Sequence, residues 1–156
     1  MKYLISACLV GQAVRYDAKH CRVNALHQLV EQQAAIVICP ELAGGLSTPR
    51  APAEIVGGDG LAVLRGLAKV IDQQGVDVSS AFIEGAYQTL KLAQKHQVSH
   101  VILKANSPSC GSQYIYDGTF SGNKILGQGV TAALLKRYGF QVMTEQDFLQ
   151  QLSESD

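Results

Sequence analysis

Residues 101–111 combine a buried apolar run with a cluster of reactive side chains. The run at 101–103 is followed within seven residues by an amine, two hydroxyls and a thiol, on Lys104, Ser107, Ser109 and Cys110. Pro108 removes a backbone donor and Gly111 tolerates unusual dihedral angles, so the sequence predicts a buried strand that ends in a loop. Such strand-to-loop junctions form the ligand crevice of open α/β sheets.

Two further cysteines close predicted strands. Cys8 ends the apolar run that begins at residue 3, and Cys39 ends the β-branched run of residues 35–39, where the following proline cannot donate to a ladder. Because the carboxyl ends of parallel strands lie along one edge of a sheet, we expect Cys8, Cys39 and Cys110 to converge there. Cys21 lies near a predicted helix start, and we assign it no role.

Three converging thiols indicate metal chemistry of two possible kinds. No two cysteines form a Cys-x-x-Cys pair, and structural disulfides are not expected in a reduced compartment. Three thiolates suit a zinc ion with one open position or an iron–sulfur cluster with one iron free of protein. Taken singly, each of these cysteines is more often a small core residue than a ligand.

Strands and helices are predicted to alternate along most of the chain. Helices are predicted at Val23–Gln33, from a cap at Ser79 or Ser80 to His96, at Val130–Tyr138, and from a cap at Thr144 to about Leu152; strands are also predicted at Val98–Lys104 and Phe140–Met143. The pattern predicts a single α/β domain over residues 1–156, with a mostly parallel, open, Rossmann-like sheet and helices on both faces. We expect Leu61–Ile71 to form a small hairpin at the sheet edge and the tail at 153–156 to fray.

The segment between Glu41 and Gly58 is dense in glycine and proline. Its sequence is neither repetitive nor highly charged, so we expect an ordered binding loop rather than a linker. Within this segment, Arg50 could bind an anion or a carbonyl oxygen. A structural ion pair between Arg50 and Glu54 is an equally common arrangement.

The composition limits the class of partner. The chain has 13 basic and 13 acidic side chains, so it lacks the basic surface typical of nucleic-acid binding and favours a small molecule. No segment approaches the roughly 20 apolar residues of a membrane span. The apolar N-terminus is too brief for a signal peptide, and we expect a cytoplasmic protein.

Several motifs together resemble those of the bacterial thiouracil desulfurases. They extend over almost the whole chain and are Ser6-Ala-Cys8-Leu-Val-Gly, Arg15-Tyr16-Asp17, Cys39-Pro-Glu41, Gly44-Gly-Leu46, Thr48-Pro-Arg50-x-Pro-x-Glu54-Ile, Ser107-Pro-Ser-Cys110-Gly, Tyr116-Asp-Gly118 and Gly129-Val-Thr-Ala. Any one of these motifs is weak evidence for the family, whereas the motifs as a set are specific to it.

The resemblance implies a [4Fe-4S] cluster held by Cys8, Cys39 and Cys110. Its fourth iron would stay open and take the sulfur from a thiolated pyrimidine, with C=S replaced by C=O. The resemblance also implies Glu41 and Ser107 as the acid–base and positioning groups. Each residue also has a purely structural alternative. Glu41 could cap the start of a helix, and Ser107 could be a turn residue that hydrogen-bonds to its own backbone.

Three further residues complete the expected site. Ser109 is a candidate donor to a cluster sulfur, and Lys104 and Arg50 are expected to shape the charge of the pocket. Relatives that carry an extra domain are associated with thiolated transfer RNA, whereas this neutral, single-domain chain favours a free thiolated pyrimidine. Two alternative functions stay open, namely a zinc-thiolate hydrolase and a non-catalytic module that binds a thiolated ligand.

Overall fold

The computed structural model describes residues 2–154 and consists of alternating strands and helices. The strands are β1 (Tyr3–Ser6), β2 (Ala35–Ile38), β3 (Ala53–Val56), β4 (Lys69–Asp72), β5 (His100–Leu103), β6 (Tyr114–Tyr116), β7 (Lys124–Leu126) and β8 (Gln141–Thr144). The helices are α1 (Asn24–Glu31), α2 (Pro40–Ala43), α3 (Gly60–Leu64), α4 (Ser79–Lys95), α5 (Val130–Arg137) and α6 (Glu145–Glu154). A 3-10 turn at Ala7–Val10 directly follows β1.

The central sheet is parallel and has the order β2-β1-β5-β8. In its register, Ile5 of β1 lies between Val37 of β2 and Ile102 of β5. The two central strands are short apolar runs because both of their faces are covered. The parallel arrangement predicted from the sequence is confirmed, and the carboxyl ends of β1, β2 and β5 therefore share one edge.

Helices cover both faces of this sheet. Leu4 and Val101 belong to the core that also contains Phe82 of α4 and residues of α5. Ile5 belongs to the opposite core, which contains Leu26 of α1 and residues of α6. Neighbouring strand residues alternate between the two cores because successive side chains point to opposite faces. The predicted α/β class, with helices on both faces, is confirmed.

Helix α2 packs closely on α4 through two glycines. A Cβ atom added at Gly85 would lie 1.9 Å from the carbonyl oxygen of Pro40, and one added at Gly44 would lie 1.9 Å from that of Ala81. Such distances leave no room for a methyl group. The segment that carries Cys39 is therefore held against α4 by backbone contact.

Gly85→Ala is expected to destabilise the protein by about 3 kcal/mol, because the new methyl group must push α2 away from α4. At an open helix position the same change would instead stabilise by about 1 kcal/mol. The measurement is the free energy of unfolding, with Lys91→Ala at an exposed position of the same helix as the control. Wild-type stability in Gly85→Ala would contradict the close packing.

The predicted hairpin at Leu61–Ile71 is wrong. Residues 60–64 form α3, in which the Asp59 side chain accepts a hydrogen bond from Ala62 N at 3.1 Å. Strand β4 pairs antiparallel with β3 in a separate two-stranded sheet. Short apolar stretches fit a helix or a strand equally well. In addition, β3, which pairs with β4, lies within the glycine- and proline-rich segment, where the sequence predicts no strand. That segment is ordered, as predicted, but it contains α2 and β3.

The helix ends differ from the predictions in two places. Ser79 does not cap α4; its hydroxyl accepts a hydrogen bond from Val70 N at 2.8 Å and so ties α4 to β4. At α6, Thr144 Oγ1 accepts from Asp147 N at 3.0 Å, which confirms the predicted cap. Helix α6 continues to Glu154, two residues beyond its predicted end, and the fraying of the tail stays a prediction. Residues 155 and 156 lie outside the described part.

Within residues 2–154, no helix has the length and apolar character that crossing a bilayer requires. The cytoplasmic location stays a prediction.

Candidate functional site

A cavity of about 350 Å³ lies at the carboxyl edge of the parallel sheet. The segments after β1, β2 and β5 line it, together with residues 50–54 and part of the connection between β6 and β7. Seven of the eight predicted site residues line this cavity, namely Cys8, Cys39, Glu41, Arg50, Lys104, Ser107 and Cys110. The eighth, Ser109, lies behind the cavity wall, where its hydroxyl pairs with that of Thr131 at 2.7 Å.

Cys8 lies in the 3-10 turn after β1. The turn ends at Gly11, whose φ of 102° is readily adopted only by glycine. Burial, together with the neighbouring Cys110 thiol, raises the pKa of the Cys8 thiol to about 12. The Cys8 carbonyl oxygen accepts a hydrogen bond from Cys21 N at 2.9 Å. Cys21 therefore neighbours this turn, although it does not line the cavity.

Ser107 shapes the loop that presents Cys110. Its hydroxyl oxygen accepts hydrogen bonds from Cys110 N at 2.8 Å and from Ser109 N at 3.1 Å. The alternative interpretation of Ser107 as a turn residue is thus present in the structure. A serine hydroxyl has two acceptor lone pairs and one proton, so Ser107 retains a donor for the cavity.

The Cys110 thiol is enclosed by hydroxyl groups. Ser6 Oγ donates to Cys110 Sγ at 3.7 Å and accepts a hydrogen bond from Lys104 N at 3.1 Å. Burial, together with the nearby Glu41 carboxylate, raises the pKa of the Cys110 thiol to about 12, although hydrogen bonds from the hydroxyls of Ser6 and Ser109 oppose the shift. In the absence of metal, Cys110 is therefore protonated at neutral pH.

The amino end of α5 fixes the same loop. Val130 N donates to the carbonyl oxygen of Pro108 and Thr131 N to that of Ser109, each at 2.8 Å. A Cβ atom at Gly129 would lie 2.5 Å from the carbonyl group of Ser109. The N–H groups of the first turn of α5, which have no partner within the helix, thus donate to carbonyl oxygens of the loop that carries Cys110.

Cys39 lies between β2 and α2. It is the N-cap residue of this helix, and Pro40 occupies the first turn, where its missing N–H costs no hydrogen bond. Burial raises the pKa of the Cys39 thiol. The next residue, Glu41, faces the same cavity, so one short helix start delivers a thiol and a carboxylate.

Arg50 holds the Glu41 carboxylate. The Nε atom of Arg50 lies 3.1 Å from Glu41 Oε1, and the two side chains are only 9% and 18% exposed. Arg50 also donates to the carbonyl oxygens of Val14 and Ser47 at 3.1 and 3.0 Å. The structural partner of Arg50 is therefore Glu41 and not Glu54, and the contact of Arg50 with a ligand stays a prediction.

The surroundings of Glu41 suit proton transfer. Burial raises the pKa of its carboxyl group, and the Arg50 charge opposes that shift. No side chain of the described residues pairs with Oε2. The alternative in which Glu41 caps the helix is not present, since α2 has no side-chain cap.

Lys104 contributes less free charge to the cavity than the sequence suggests. Its Nζ atom pairs with Glu145 Oε2 at 3.1 Å, and Glu145 Oε1 accepts a hydrogen bond from Ala105 N at 2.9 Å. The Lys104 charge still lowers the pKa of Cys8. Its effect on a bound ligand stays a prediction.

The three thiols supply the all-sulfur ligand set that a zinc ion or an iron–sulfur cluster would use. A zinc site requires its ligand sulfurs at about 2.3 Å from the metal. Within residues 2–154, no three or more His, Cys, Asp or Glu side chains are grouped closely enough to hold one ion. Three thiols nevertheless line one cavity, and thiolates are the usual ligands of iron–sulfur clusters.

Sequence reasoning missed several residues of the cavity wall. The aromatic residues are Tyr16, Tyr116 and Phe120, and the amide residues are Gln73 and Asn106. Tyr16 and Tyr116 belong to two of the motifs that resemble the family, Arg15-Tyr16-Asp17 and Tyr116-Asp-Gly118, but the sequence predicts no role for them. Phe120 lies between two glycines of an irregular segment, a pattern that can place an aromatic side chain at an exposed tip.

Comparisons with known proteins cover nearly the whole chain. Residues 3–147 match the model of the 2-thiouracil desulfurase family. The uncharacterized protein YbbK of Bacillus subtilis (strain 168) is 52% identical over 144 residues, which are 92% of this chain and 95% of that protein. The solved structure of the [4Fe-4S]-dependent thiouracil desulfidase TudS is 41% identical, with a TM-score of 0.85 over 99% of this chain and 97% of TudS.

Proposed function

Because the chain belongs to the 2-thiouracil desulfurase family, we propose that it removes sulfur from 2-thiouracil or a closely related thiolated pyrimidine. In this proposal, Cys8, Cys39 and Cys110 hold a [4Fe-4S] cluster. The observation that carries the proposal is the placement of three thiols and a partly buried carboxylate around one cavity. The likeness to TudS supports it.

The donor set fits this cofactor. All three thiols are at least partly buried, and their raised pKa values mean that metal binding must displace protons from them. When bound, a cluster with one iron free of protein would supply a Lewis acid for the thiocarbonyl sulfur. The hydroxyl of Ser6, already a donor to Cys110 Sγ, would remain beside a ligand sulfur.

The reaction needs water and proton transfer but no net change of oxidation state. The carbon–sulfur double bond is replaced by a carbon–oxygen double bond, water supplies the oxygen, and hydrogen sulfide is the second product. We assign the proton transfers to Glu41, whose Oε1 atom is held by Arg50 while Oε2 faces no partner among the described residues. Glu41 takes a proton from the attacking water and returns it as sulfur departs.

Ser107 has the complementary role of orienting the pyrimidine. Both of its acceptor lone pairs are used by Ser109 N and Cys110 N, so its remaining function is to donate one hydrogen bond. A carbonyl oxygen or an unprotonated ring nitrogen of the pyrimidine would accept it. Fixing the ring in this way lowers the entropic part of the barrier.

Turnover of 2-thiouracil by three forms of the protein tests this function. Anaerobically reconstituted, zinc-loaded and metal-free protein are incubated with 2-thiouracil, and loss of the thiocarbonyl absorbance is followed. We expect loss only with the reconstituted form. Equal turnover by the zinc form would establish the zinc-thiolate hydrolase instead, and measurable binding without turnover would establish the binding module.

A free pyrimidine, rather than RNA, is the proposed substrate. The equal numbers of acidic and basic side chains argue against the strong phosphate contacts that RNA binding requires. The cavity suits a single ring, since it measures about 350 Å³ and is lined by aromatic and amide side chains.

A further inference from the structure

Phe120 has an unusual backbone conformation at the cavity wall. Its φ of 56° lies in the left-handed region, which bulky side chains rarely adopt. The residue lies in the connection between β6 and β7, where Gly118 and Gly122 also have positive φ values, of 90° and 83°. A left-handed phenylalanine persists only where the surrounding structure holds it in place.

A buried carboxylate holds this conformation. Glu54 on β3 is 9% exposed, and its Oε1 atom accepts hydrogen bonds from Gly118 N at 2.9 Å and from Phe120 N at 3.2 Å. No lysine, arginine or histidine among residues 2–154 forms an ion pair with Glu54. The carboxylate is therefore compensated by backbone donors, which form stronger hydrogen bonds to a charged acceptor than to a neutral one.

Close packing completes the support. A Cβ atom at Gly118 would lie 2.6 Å from the carbonyl oxygen of Ile55, so the turn lies directly against β3. The Phe120 side chain, in contrast, is only partly buried and belongs to neither hydrophobic core of the described residues. Core packing thus gives no reason for the strained backbone at Phe120.

We propose that Phe120 forms the aromatic wall of the substrate subsite and stacks on the pyrimidine ring, and that Glu54 positions it. Phe120 lines the same cavity as Cys110 and Glu41. A flat, uncharged pyrimidine offers few groups for ion pairing, so an aromatic face supplies a large part of its binding. This inference rests on the proposed function, because that function provides the pyrimidine.

Substitutions of Phe120 test the stacking directly. Phe120→Leu keeps an apolar side chain without a π face, whereas Phe120→Tyr keeps the ring. We expect Phe120→Leu to raise the KM for 2-thiouracil by about 5- to 100-fold, with a much smaller change in kcat. Phe120→Tyr should stay close to wild type. Phe140→Leu, at a partly buried residue that packs against the core and lies outside the cavity, is the matched control.

A second measurement is independent of turnover. Uracil retains the pyrimidine ring of the substrate but has no sulfur to remove, so its Kd can be measured calorimetrically on the cluster-loaded protein. Phe120→Leu should weaken uracil binding by the same factor as it raises KM, while the iron content stays at the wild-type level. Equal uracil affinities for wild type, Phe120→Leu and Phe120→Tyr would overturn the proposed stacking.

The positioning by Glu54 is tested with a double-mutant cycle. Glu54→Ala removes the acceptor and should raise KM as Phe120→Leu does, whereas Glu54→Gln keeps an oxygen acceptor and should largely restore it. If Glu54 acts through Phe120, the double variant Glu54→Ala/Phe120→Leu should be no worse than either single variant. Additive effects would contradict the positioning role. If Glu54→Ala fails to fold, Glu54→Asp replaces it in the cycle: the shorter side chain withdraws the acceptor from Gly118 N and Phe120 N and should also raise KM, alone but not further in the Phe120→Leu background.

The two proposals fail in different ways. If reconstituted wild-type protein binds uracil but does not convert 2-thiouracil, the proposed reaction is wrong and the stacking is still decided by the uracil affinities. If wild type converts 2-thiouracil and Phe120→Leu has the same KM and uracil affinity, only the stacking is wrong.

Discussion

Replacement of Cys8, Cys39 or Cys110 by alanine is expected to abolish stable cluster binding, whereas Cys21→Ala should retain it. Each of the three lines the cavity at the end of a different parallel strand, so no neighbouring thiol can substitute for a lost ligand. Cys21 N donates to the Cys8 carbonyl oxygen, and the Cys21 side chain does not line the cavity. An alanine side chain does not change that hydrogen bond.

Iron and acid-labile sulfide, measured after anaerobic reconstitution, report this result without reference to activity. Each of the three ligand variants should contain almost no iron, and Cys21→Ala should match wild type. Circular dichroism of the metal-free proteins serves as the control for folding, which is needed because Cys110 and Cys8 are buried members of the two cores. An intact cluster in any one of the three variants would remove that cysteine from the ligand set.

The second large effect is expected from Glu41→Gln, which should retain the cluster but lose about 10²- to 10⁴-fold in kcat. Glutamine keeps the size of the side chain and an oxygen that can accept from Arg50 Nε, the contact that wild type makes at 3.1 Å. The glutamine amide, however, cannot take a proton from the attacking water and return it as sulfur departs. The loss should therefore appear in kcat, with a much smaller change in the Kd for uracil.

Glu145→Gln provides a matched control for Glu41→Gln. Glu145 is also a carboxylate paired with a cation, since its Oε2 atom lies 3.1 Å from Lys104 Nζ, but it does not line the cavity. We expect its kcat to stay within a few-fold of wild type. Near-normal kcat in Glu41→Gln would reject the acid–base assignment.

The convergence of the cysteines could be predicted because it depends on the strongest signals in the sequence. Apolar runs before Cys8, Cys39 and Cys110 indicated strands buried on both faces. The alternation with amphipathic helices indicated that these strands are parallel. Parallel strands place their carboxyl ends together whatever the strand order, so the site did not depend on knowing that order.

Other features could not be predicted because they depend on long-range contacts with no local signal. Nothing in the sequence around Arg50 distinguishes Glu41 from Glu54 as its partner; the choice depends on β3 turning Glu54 toward Gly118. In the same way, the pairing of β3 with β4 around α3 cannot be deduced from short apolar stretches. The position of Phe120 follows from a hydrogen bond across 66 residues.

The most direct test of the central claim is conversion of 2-thiouracil by the reconstituted protein in water labelled with ¹⁸O, with uracil and sulfide both quantified. We predict that each uracil formed contains one labelled oxygen and is accompanied by one sulfide, and that metal-free protein forms neither. Recovery of unchanged 2-thiouracil from a protein that contains an intact cluster would contradict the claim.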